Sequence, residues 1–434
     1  MNEIARLIEE TPFVDTHEHL WEESMRVRGV AQGKDSKLPA PDLGMLFCHY
    51  TNSDLIVSGM PPKDMERVTE YELSPREKWA LVAPFYERIR HTGYGRFVRE
   101  TVRKLFDEDD LRDDNAESIS EKLRKAVQPG FYRIVLRDFA NVEYAQVNNL
   151  QAPVFMQTEL PDLLCQDIST VPLSSGLDVK GLSKAFNKEV GSLKDWHELI
   201  DGCFARFGPR AIATKNQSAY ARGLDYDEVS AEDAAPLFAR HLQNPRRLTP
   251  AETKAVQDHL FHYCIDKATE YKLPVKLHTG YFAGHGGMPL HRVRANAGDA
   301  CALLRAHPDA RFDFFHIDYP YQDEMIAIAK HYPNAWVDMC WTWIINPAAC
   351  VRFVKEFVTA APVNKLLTFG GDVLPVELVP GHAAVARQGL AQAVSELVAE
   401  NWVGAGEVET LIRRLMCGNA HELFDYERAT SAWK

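Results

Sequence analysis

The sequence lacks several features that would assign it to common classes of protein. No cluster of basic residues accompanies the formal net charge of -12, so we expect no nucleic-acid partner. No apolar run is long enough to span a bilayer, and Met1-Asn2-Glu3-Ile4 lacks the basic start and long apolar run of a signal peptide. No Gly-x-Gly-x-x-Gly or Walker-type loop follows a strand pattern, which argues against a nucleotide-binding sheet.

Cysteine pairs are also missing, because the eight cysteines are scattered and none forms a Cys-x-x-Cys motif. Most stand in apolar contexts, so we interpret them as reduced and buried. Hydrophobic residues make up 46% of the chain and charged residues 25%, which predicts a soluble globular protein with a large core. We therefore expect a cytoplasmic protein with no membrane partner, and a homo-oligomer stays open.

Apolar runs alternate with helical patterns over most of the 434 residues. Such alternation predicts an α/β fold with a parallel sheet, and eight units favour a (β/α)8 TIM barrel over an open doubly wound sheet. The predicted strands lie at 13–15, 143–147, 154–156, 211–214, 275–277, 312–315, 336–339 and 366–369. The helices predicted between them lie at 228–241, 250–271, 296–307, 321–331, 347–360 and 382–400. A short amphipathic helix is predicted at 2–10, leading into the first strand.

The stretch 21–130 differs from the rest, because it contains helical patterns and loops but no convincing strand pair. Ser74-Pro75-Arg76-Glu77 is typical of a helix start, with a capping Ser, Pro at the first helical position and Glu three residues after the Ser. We interpret 21–130 as a helical insertion after the first strand, within a single domain over 1–434. It serves either as a cap over a site or as a structural elaboration or oligomer contact.

The first predicted strand leads into a His-x-His pair, His17 and His19. Residues i and i+2 of a strand share a face, so both imidazoles can reach one point as the strand ends. A divalent metal is the usual reason for this arrangement. Two solvated histidines at a surface strand end are the simpler explanation for the pair taken alone.

Other predicted strands also end on a metal-competent or charged residue. A barrel places its active site at the carboxyl ends of its strands, so these residues would meet there. With His17 and His19, the strand ends carry Lys215, His278, His316 and Asp372.

Imidazoles and a carboxylate fit a catalytic metal site that leaves one position open for water. A bound metal makes that water a nucleophile at neutral pH. Asp372 could bind the metal, accept the proton of the water and pass it to the leaving group. His316 could polarise a carbonyl or hold a substrate oxygen.

The order His-x-His, Lys, His, His, Asp resembles the amidohydrolase superfamily, most closely the "amidohydrolase 2" branch and the FluG-nodulin amidohydrolase-like domain. Uronate isomerases are a more distant likeness. The resemblance covers 11–20 and about 205–425 and is thin over 21–200. The motifs that carry it are His278-Thr279-Gly280-Tyr281, Arg294-Ala295-Asn296, Phe315-His316-Ile317-Asp318-Tyr319-Pro320-Tyr321, Tyr332-Pro333-Asn334-Ala335-Trp336-Val337-Asp338 and Gly418-Asn419-Ala420-His421-Glu422-Leu423-Phe424.

The resemblance implies His17, His19, His278 and Asp372 as metal ligands, with His316 beside the metal or on a second ion. For Lys215 it implies either a carboxylated lysine that bridges two metals or a cation facing the substrate, and a structural salt bridge is the third reading. Zinc is favoured for such ligands, although manganese, iron or nickel would also fit.

Four further side chains are candidates for contact with a small-molecule substrate. Arg222 and Arg294 could hold a carboxylate in a bidentate pair, and ordinary ion pairs are the alternative for both. Tyr319 and Trp341 could line the pocket, or could simply pack at the barrel rim. Other histidines fall on helical patterns and are interpreted as structural, namely His259, His262, His307 and His331.

The leading hypothesis is a metal-dependent hydrolase of an amide, ester or lactone bond, with metal-bound water as nucleophile and Asp372 as proton shuttle. The alternative on the same scaffold is a metal-dependent decarboxylase or other lyase, or a uronate-isomerase-like enzyme. A binding domain that kept the barrel without chemistry is a third hypothesis, which the intact ligand set disfavours.

Overall fold

The computed structural model describes residues 3–433. Its strands are β1 (Phe13–Glu18), β2 (Val142–Val147), β3 (Leu164–Gln166), β4 (Ile168–Ser169), β5 (Thr214–Asn216), β6 (Val275–His278), β7 (Phe312–Phe315), β8 (Ala335–Asp338) and β9 (Leu366–Leu367). Its α-helices are α1 (Glu3–Glu10), α2 (Glu23–Gln32), α3 (Thr51–Val57), α4 (Pro62–Thr69), α5 (Pro75–Ile89), α6 (Gly93–Phe106), α7 (Ala116–Ala126), α8 (Phe131–Arg133), α9 (Val179–Phe186), α10 (Leu193–Phe207), α11 (Ala231–Gln243), α12 (Pro250–Glu270), α13 (Leu290–Val293), α14 (Asn296–Ala306), α15 (Gln322–His331), α16 (Thr342–Ile345), α17 (Pro347–Ala360), α18 (Val379–Ala399), α19 (Val408–Arg413), α20 (Asn419–Leu423) and α21 (Tyr426–Ser431). Short 3-10 turns and two π-helical stretches join them.

The described residues divide into two compact units. Unit 1 comprises 3–145, 281–288 and 339–419, and unit 2 comprises 146–280, 289–338 and 420–433. The prediction of a single domain stays a prediction.

Helix α18 lies at the centre of unit 1 and is buried along most of its length. Two glycines allow it to pack closely: a Cβ on Gly381 would lie 2.5 Å from the Phe97 carbonyl oxygen of α6, and one on Gly389 would lie 2.2 Å from the Trp343 ring. The guanidinium of Arg387 donates to backbone carbonyls of Thr11 and Asn141, which flank β1 and β2. Helix α18 therefore fixes the strand that carries the His-x-His pair.

Unit 2 contains a parallel sheet in the order β4-β5-β6-β7-β8. Lys215 of β5 is in register with Lys276 of β6, which in turn is in register with Asp313 of β7. Two residues further along β6 and β7, His278 is in register with Phe315. Because side chains in register share a face, the sheet stacks a layer of charged side chains below a layer that carries His278.

Most predicted elements are present, with shifted ends. The predicted helix at 347–360 has the observed bounds, and the strand predicted at 211–214 begins only at Thr214. The strand predicted at 154–156 is wrong, because that stretch is irregular and the chain forms β3 and β4 further on. The helix predicted from residue 2 is α1, and residue 2 itself lies outside the described residues.

The segment between β1 and β2 is helical, as predicted for the insertion. Helix α5 begins at the predicted capping box: the Ser74 hydroxyl accepts from the Glu77 backbone N–H, and the Glu77 carboxylate accepts from the Ser74 backbone N–H. A buried ion pair joins Arg26 of α2 to Glu377, which lies in the 3-10 turn Val376–Leu378 just before α18. The insertion is thus anchored within unit 1 by charge as well as by packing.

The cysteines are all unpaired, with Cys48 and Cys301 partly exposed and the other six buried. Across residues 3–433, no helix combines the length and the apolar character that crossing a bilayer requires.

Candidate metal centre

The carboxylate of Asp372 lies between the two imidazoles of the His-x-His pair in unit 1. The Nε2 atoms of His17 and His19 are each 3.2 Å from the same oxygen, Asp372 Oδ1. The three possible ligand atoms lie within 4.8 Å of one another, and all three residues are buried. Two imidazoles and a carboxylate that converge in this way are a donor set suited to a divalent transition metal.

Backbone pairing explains why residues 355 positions apart meet at one point. The Asp372 N–H donates to the His17 carbonyl, with 2.8 Å between nitrogen and oxygen, and the His19 N–H donates to the Val373 carbonyl at 3.0 Å. The segment that contains Asp372 therefore runs along the end of β1. Asp372 itself has a φ of 58°, a left-handed conformation that Asp tolerates better than most residues.

Asp15 and Glu18 of β1 support this pairing rather than extending the ligand set. The Asp15 carboxylate accepts from the Gly371 N–H at 3.2 Å, and the Glu18 carboxylate accepts from the Val373 N–H at 2.7 Å. A Cβ on Gly371 would lie 1.9 Å from a Glu18 carboxylate oxygen, so only glycine fits there. Burial first, and then the charge of Asp15, raises the pKa of Glu18 well above its usual range, which favours the neutral form of this carboxyl.

The electrostatic balance at Asp372 favours its ionised form. Burial alone would raise the pKa of this carboxyl, but hydrogen bonds and charge from His17 and His19 outweigh burial and hold the pKa well below its usual range. Nearby, the His382 ring lies 3.1 Å from the Gly371 carbonyl oxygen, and burial lowers the pKa of His382 to about 3. His382 is therefore a neutral donor that holds the Gly371 backbone.

Two residues of the insertion, His49 and Tyr50, also reach this cluster, and the sequence analysis missed both. The Tyr50 hydroxyl donates to the Asp372 backbone carbonyl at 2.6 Å, and its ring stacks 4.4 Å from that of Trp341. Burial lowers the pKa of His49 to about 4, with a smaller contribution from His19 and against the charge of Asp372, which raises it, so this imidazole is neutral at pH 7. A His-Tyr pair outside any strand pattern gave no signal that could be recognised in the sequence.

Unit 2 brings its own predicted histidines together. His278 ends β6 and His316 directly follows β7, and His316 Nε2 lies 3.0 Å from His278 Nδ1. His316 has a φ of 65°, which turns the chain sharply at the strand end. The ring of Tyr220 lies 4.6 Å from that of His278. These histidines thus contact each other in the layer above the charged one.

Lys215 belongs to the buried charged layer of unit 2. Its ammonium lies 3.6 Å from the centre of the Phe315 ring, a cation–π contact. The neighbouring Lys276 forms an ion pair with Asp167 at 2.9 Å. Burial and then the charge of Asp338 raise the pKa of Asp313 well above its usual range, although Lys276 and Lys215 act in the opposite direction.

The four predicted substrate contacts have diverse surroundings. Arg222 forms an ion pair with Asp258, which is the alternative considered for it in the sequence. Its guanidinium also lies 4.1 Å above the Tyr226 ring. Arg294 lies 5.9 Å from the Tyr321 ring, and the Tyr319 N–H donates to the His316 carbonyl. Trp341 is buried against Tyr50 in unit 1. A role in substrate binding stays a prediction for all four.

Comparison with known families decides the class of the chain. The family model described as amidohydrolase matches residues 182–426, more than half of the sequence. The chain belongs to the amidohydrolase family. This amidohydrolase is also 26% identical over 169 residues to protein FluG of Emericella nidulans. That match covers 37% of the chain and 19% of FluG, so the chain spans about a fifth of the length of this relative.

Solved structures resemble this amidohydrolase over nearly its whole length. Uronate isomerase from Thermotoga maritima has a TM-score of 0.78 at 16% identity, covering 98% of both chains. Glucuronate isomerase from Caulobacter crescentus has a TM-score of 0.76 at 16% identity, covering 99% of this chain and 93% of the other. A Lactobacillus casei protein described as a candidate metal-dependent hydrolase has a TM-score of 0.64 at 15% identity, covering 98% of both.

These likenesses confirm the predicted fold class, an α/β TIM barrel with a helical insertion after the first strand. The family model makes the chain a member of the amidohydrolase superfamily of enzymes, and its buried donor set could hold a metal ion.

Proposed function

We propose that this chain hydrolyses an amide, ester or lactone bond of a small molecule with the help of a divalent metal, and that zinc is the metal. The observation that carries the proposal is the convergence of His17 and His19 on one oxygen of Asp372. Nitrogen and carboxylate donors of this kind match the preferences of Zn²⁺ in hydrolytic sites.

The donor set in unit 1 fits a metal ion. His17, His19 and Asp372 would hold it, because their ligand atoms already lie within 4.8 Å of one another. When bound, such an ion supplies Lewis-acid chemistry, polarising a carbonyl and making water a nucleophile at neutral pH. The sequence adds His278 as a further ligand, and that role stays a prediction.

Asp372 is suited to moving the proton. Its carboxyl group is ionised, so one oxygen can accept the proton of the attacking water and return it to the leaving group. The Tyr50 hydroxyl fixes the Asp372 backbone, and its contact with Trp341 fixes the Tyr50 ring. The carboxylate is thus held in one orientation while the proton is transferred.

An isotope experiment tests hydrolysis directly. Candidate amides, esters and lactones are screened with the zinc-loaded chain, and the reaction of any hit is repeated in ¹⁸O-labelled water. We expect one labelled oxygen in the acid product for each turnover. A product without label would exclude hydrolysis.

A second candidate is isomerisation of a sugar acid between its aldose and ketose forms, which the likeness to two uronate isomerases suggests. A specific feature favours it: the insertion contributes His49, whose imidazole is neutral and close enough to Asp372 for the charge of that carboxylate to affect its pKa. A neutral imidazole could transfer a proton between adjacent carbons of the sugar acid. Uronates incubated in deuterated water would then gain deuterium next to the carbonyl in the product. Absence of both deuterium and a new sugar acid would exclude this reaction.

A decarboxylase or other lyase would differ from both, because it would release carbon dioxide or an alkene without labelled oxygen in an acid product. The net charge of -12 supports a small-molecule substrate rather than a polyanion such as nucleic acid. We also propose a cytoplasmic location, which the eight unpaired cysteines support.

A further inference from the structure

A second group of histidines lies on the outer helices of unit 2, away from β6 and β7. Helix α12 contributes His259 and His262, the C-terminal end of α14 leads into His307, and α10 contributes His197. They form two close pairs. His262 Nδ1 lies 2.6 Å from His307 Nε2, and His197 Nε2 lies 2.9 Å from His259 Nε2.

The pair formed by His262 and His307 opens on a cavity of about 520 Å³. The walls of this cavity also include the carboxylates of Asp266 and Glu228. Asp266 Oδ1 lies 3.2 Å from His307 Nδ1, the ring nitrogen that does not face His262. The Nδ1–H of His307 therefore donates to Asp266, and the lone pair of His307 Nε2 faces His262.

Metal-ligating histidines commonly donate their second ring N–H to a carboxylate, as His307 does to Asp266, and this leaves the other ring nitrogen to bind the ion. We propose that His262 Nδ1 and His307 Nε2 bind a transition-metal ion, with Asp266 orienting His307 and with water in the remaining positions. Nothing in the proposed hydrolytic function requires this site.

The geometry needs only a small adjustment. Two nitrogens at 2.0–2.1 Å from one tetrahedral zinc ion lie about 3.3 Å apart. The two rings, now 2.6 Å apart at their facing nitrogens, would have to separate by about 0.7 Å. In the process the His262 proton moves from Nδ1 to Nε2, so that both facing nitrogens present lone pairs.

Charge distinguishes this pair from the pair formed by His197 and His259. Burial and the neighbouring His262 lower the pKa of His307, and the negative charges of Asp266 and Glu228 oppose this shift. At the other pair, burial and His259 lower the pKa of His197, Asp201 raises it, and the ammonium of Lys267 lowers it further. Asp201 already forms an ion pair with Lys267 at 3.1 Å. A cation would therefore be attracted to His262 and His307 and not to His197 and His259.

Equilibrium dialysis of the full chain against Zn²⁺, followed by elemental analysis, tests the site by counting ions per chain. We expect the variant His262→Gln/His307→Gln to hold one ion fewer than the unaltered chain. The variant His197→Gln/His259→Gln removes the other histidine pair, which joins α10 to α12 with its facing nitrogens 2.9 Å apart, and it should hold the same number of ions as the unaltered chain. Circular dichroism checks that both variants fold.

A third variant protects the test against misfolding. The Asp266 side chain is 67% exposed, so Asp266→Asn should fold normally. Loss of such an orienting carboxylate weakens metal binding about 10–100-fold. In calorimetric titration, we expect the affinity of one class of Zn²⁺ sites to fall by this factor, and Cu²⁺ used as the probe should show a similar fall.

Equal ion counts in the unaltered chain and His262→Gln/His307→Gln would overturn the proposal. Unchanged affinity in Asp266→Asn, or the loss of an ion from His197→Gln/His259→Gln, would overturn it as well.

Discussion

The predicted histidines have different partners in the two units. In unit 1, His17 and His19 converge on the ionised carboxylate of Asp372. In unit 2, His278 and His316 contact each other above a layer of buried lysine and aspartate side chains. The difference teaches that a histidine at a strand end is not enough to define its role. The carboxylate of Asp372 supplies negative charge that attracts a cation, whereas the facing imidazoles of His278 and His316 supply none of their own.

Replacing Asp372 should give the largest effect. Asp372→Asn keeps the side-chain size and a residue that tolerates the left-handed φ, but it removes the proton acceptor, so turnover should fall about 10²–10⁴-fold with metal still bound. Steady-state kinetics and elemental analysis would measure both quantities. Asp309→Asn, at an exposed position, is the control and should be unaffected.

The same experiment on unit 2 sharpens the comparison. His316→Asn should reduce turnover less, about 10–100-fold, if His316 acts by orienting His278. A loss as large as that of Asp372→Asn would show that the imidazole pair carries as much of the chemistry as the carboxylate does.

Buried ion pairs should give the next largest effect, in both units alike. Glu377→Gln in unit 1 leaves Arg26 without its charged partner, and Asp167→Asn in unit 2 does the same to Lys276. Each should lower the free energy of unfolding by about 3–5 kcal/mol, since an unpaired buried charge remains. Urea denaturation measures it. Glu198→Gln, which breaks an exposed pair with Lys188, should cost less than about 1 kcal/mol.

Gly371→Ala tests the steric fit of unit 1. The added methyl would meet the Glu18 carboxylate, so we expect a loss of about 1–3 kcal/mol in the free energy of unfolding. Gly298→Ala is the matched control, because nothing lies within 4 Å of its Cβ and it sits inside α14. It should stabilise the protein by about 0.5–1 kcal/mol. Equal effects at the two positions would contradict the close approach of Gly371 to Glu18.

The smallest predicted effect concerns pH. The pKa of His382 is about 3 in the folded chain, below the value of about 6.5 for a free histidine. On acidification the unfolded chain binds the proton first, so the free energy of unfolding should fall from about pH 6.5 downwards, by at most about 1.4 kcal/mol per pH unit. Urea denaturation between pH 7 and 5 should show a shallower slope in His382→Gln. His291→Gln, at an exposed position, should keep the original slope.

The sequence contained enough information for several mostly apolar strands and for the histidines beside their ends. Phe312–Phe315 is an example, because this short buried strand is interrupted only by Asp313 and ends directly before His316. The strand predicted at 154–156 failed because three apolar residues are too few to separate a strand from an irregular buried segment. Those residues are largely buried without forming a strand.

The contribution of the insertion could not be predicted in the same way. Tyr50 adopts a φ of 66° just before α3, and its contact with Asp372 spans 322 positions of sequence. No periodic pattern encodes such a contact, since it depends on how the helices pack. The ion pair of Arg222 with Asp258 was likewise invisible in the sequence, and a role of Arg222 in substrate binding stays a prediction.

The buried cysteines can report local unfolding of the chain, because a buried thiol reacts only after the structure around it opens. Cys340, Cys350 and Cys417 lie in unit 1, and Cys165, Cys203 and Cys264 lie in unit 2. A thiol reagent can reach them only when the surrounding structure opens, so pulse labelling followed by peptide mass spectrometry would time the opening of each half separately. The protein thus needs no engineered probe to show which of its halves loosens first.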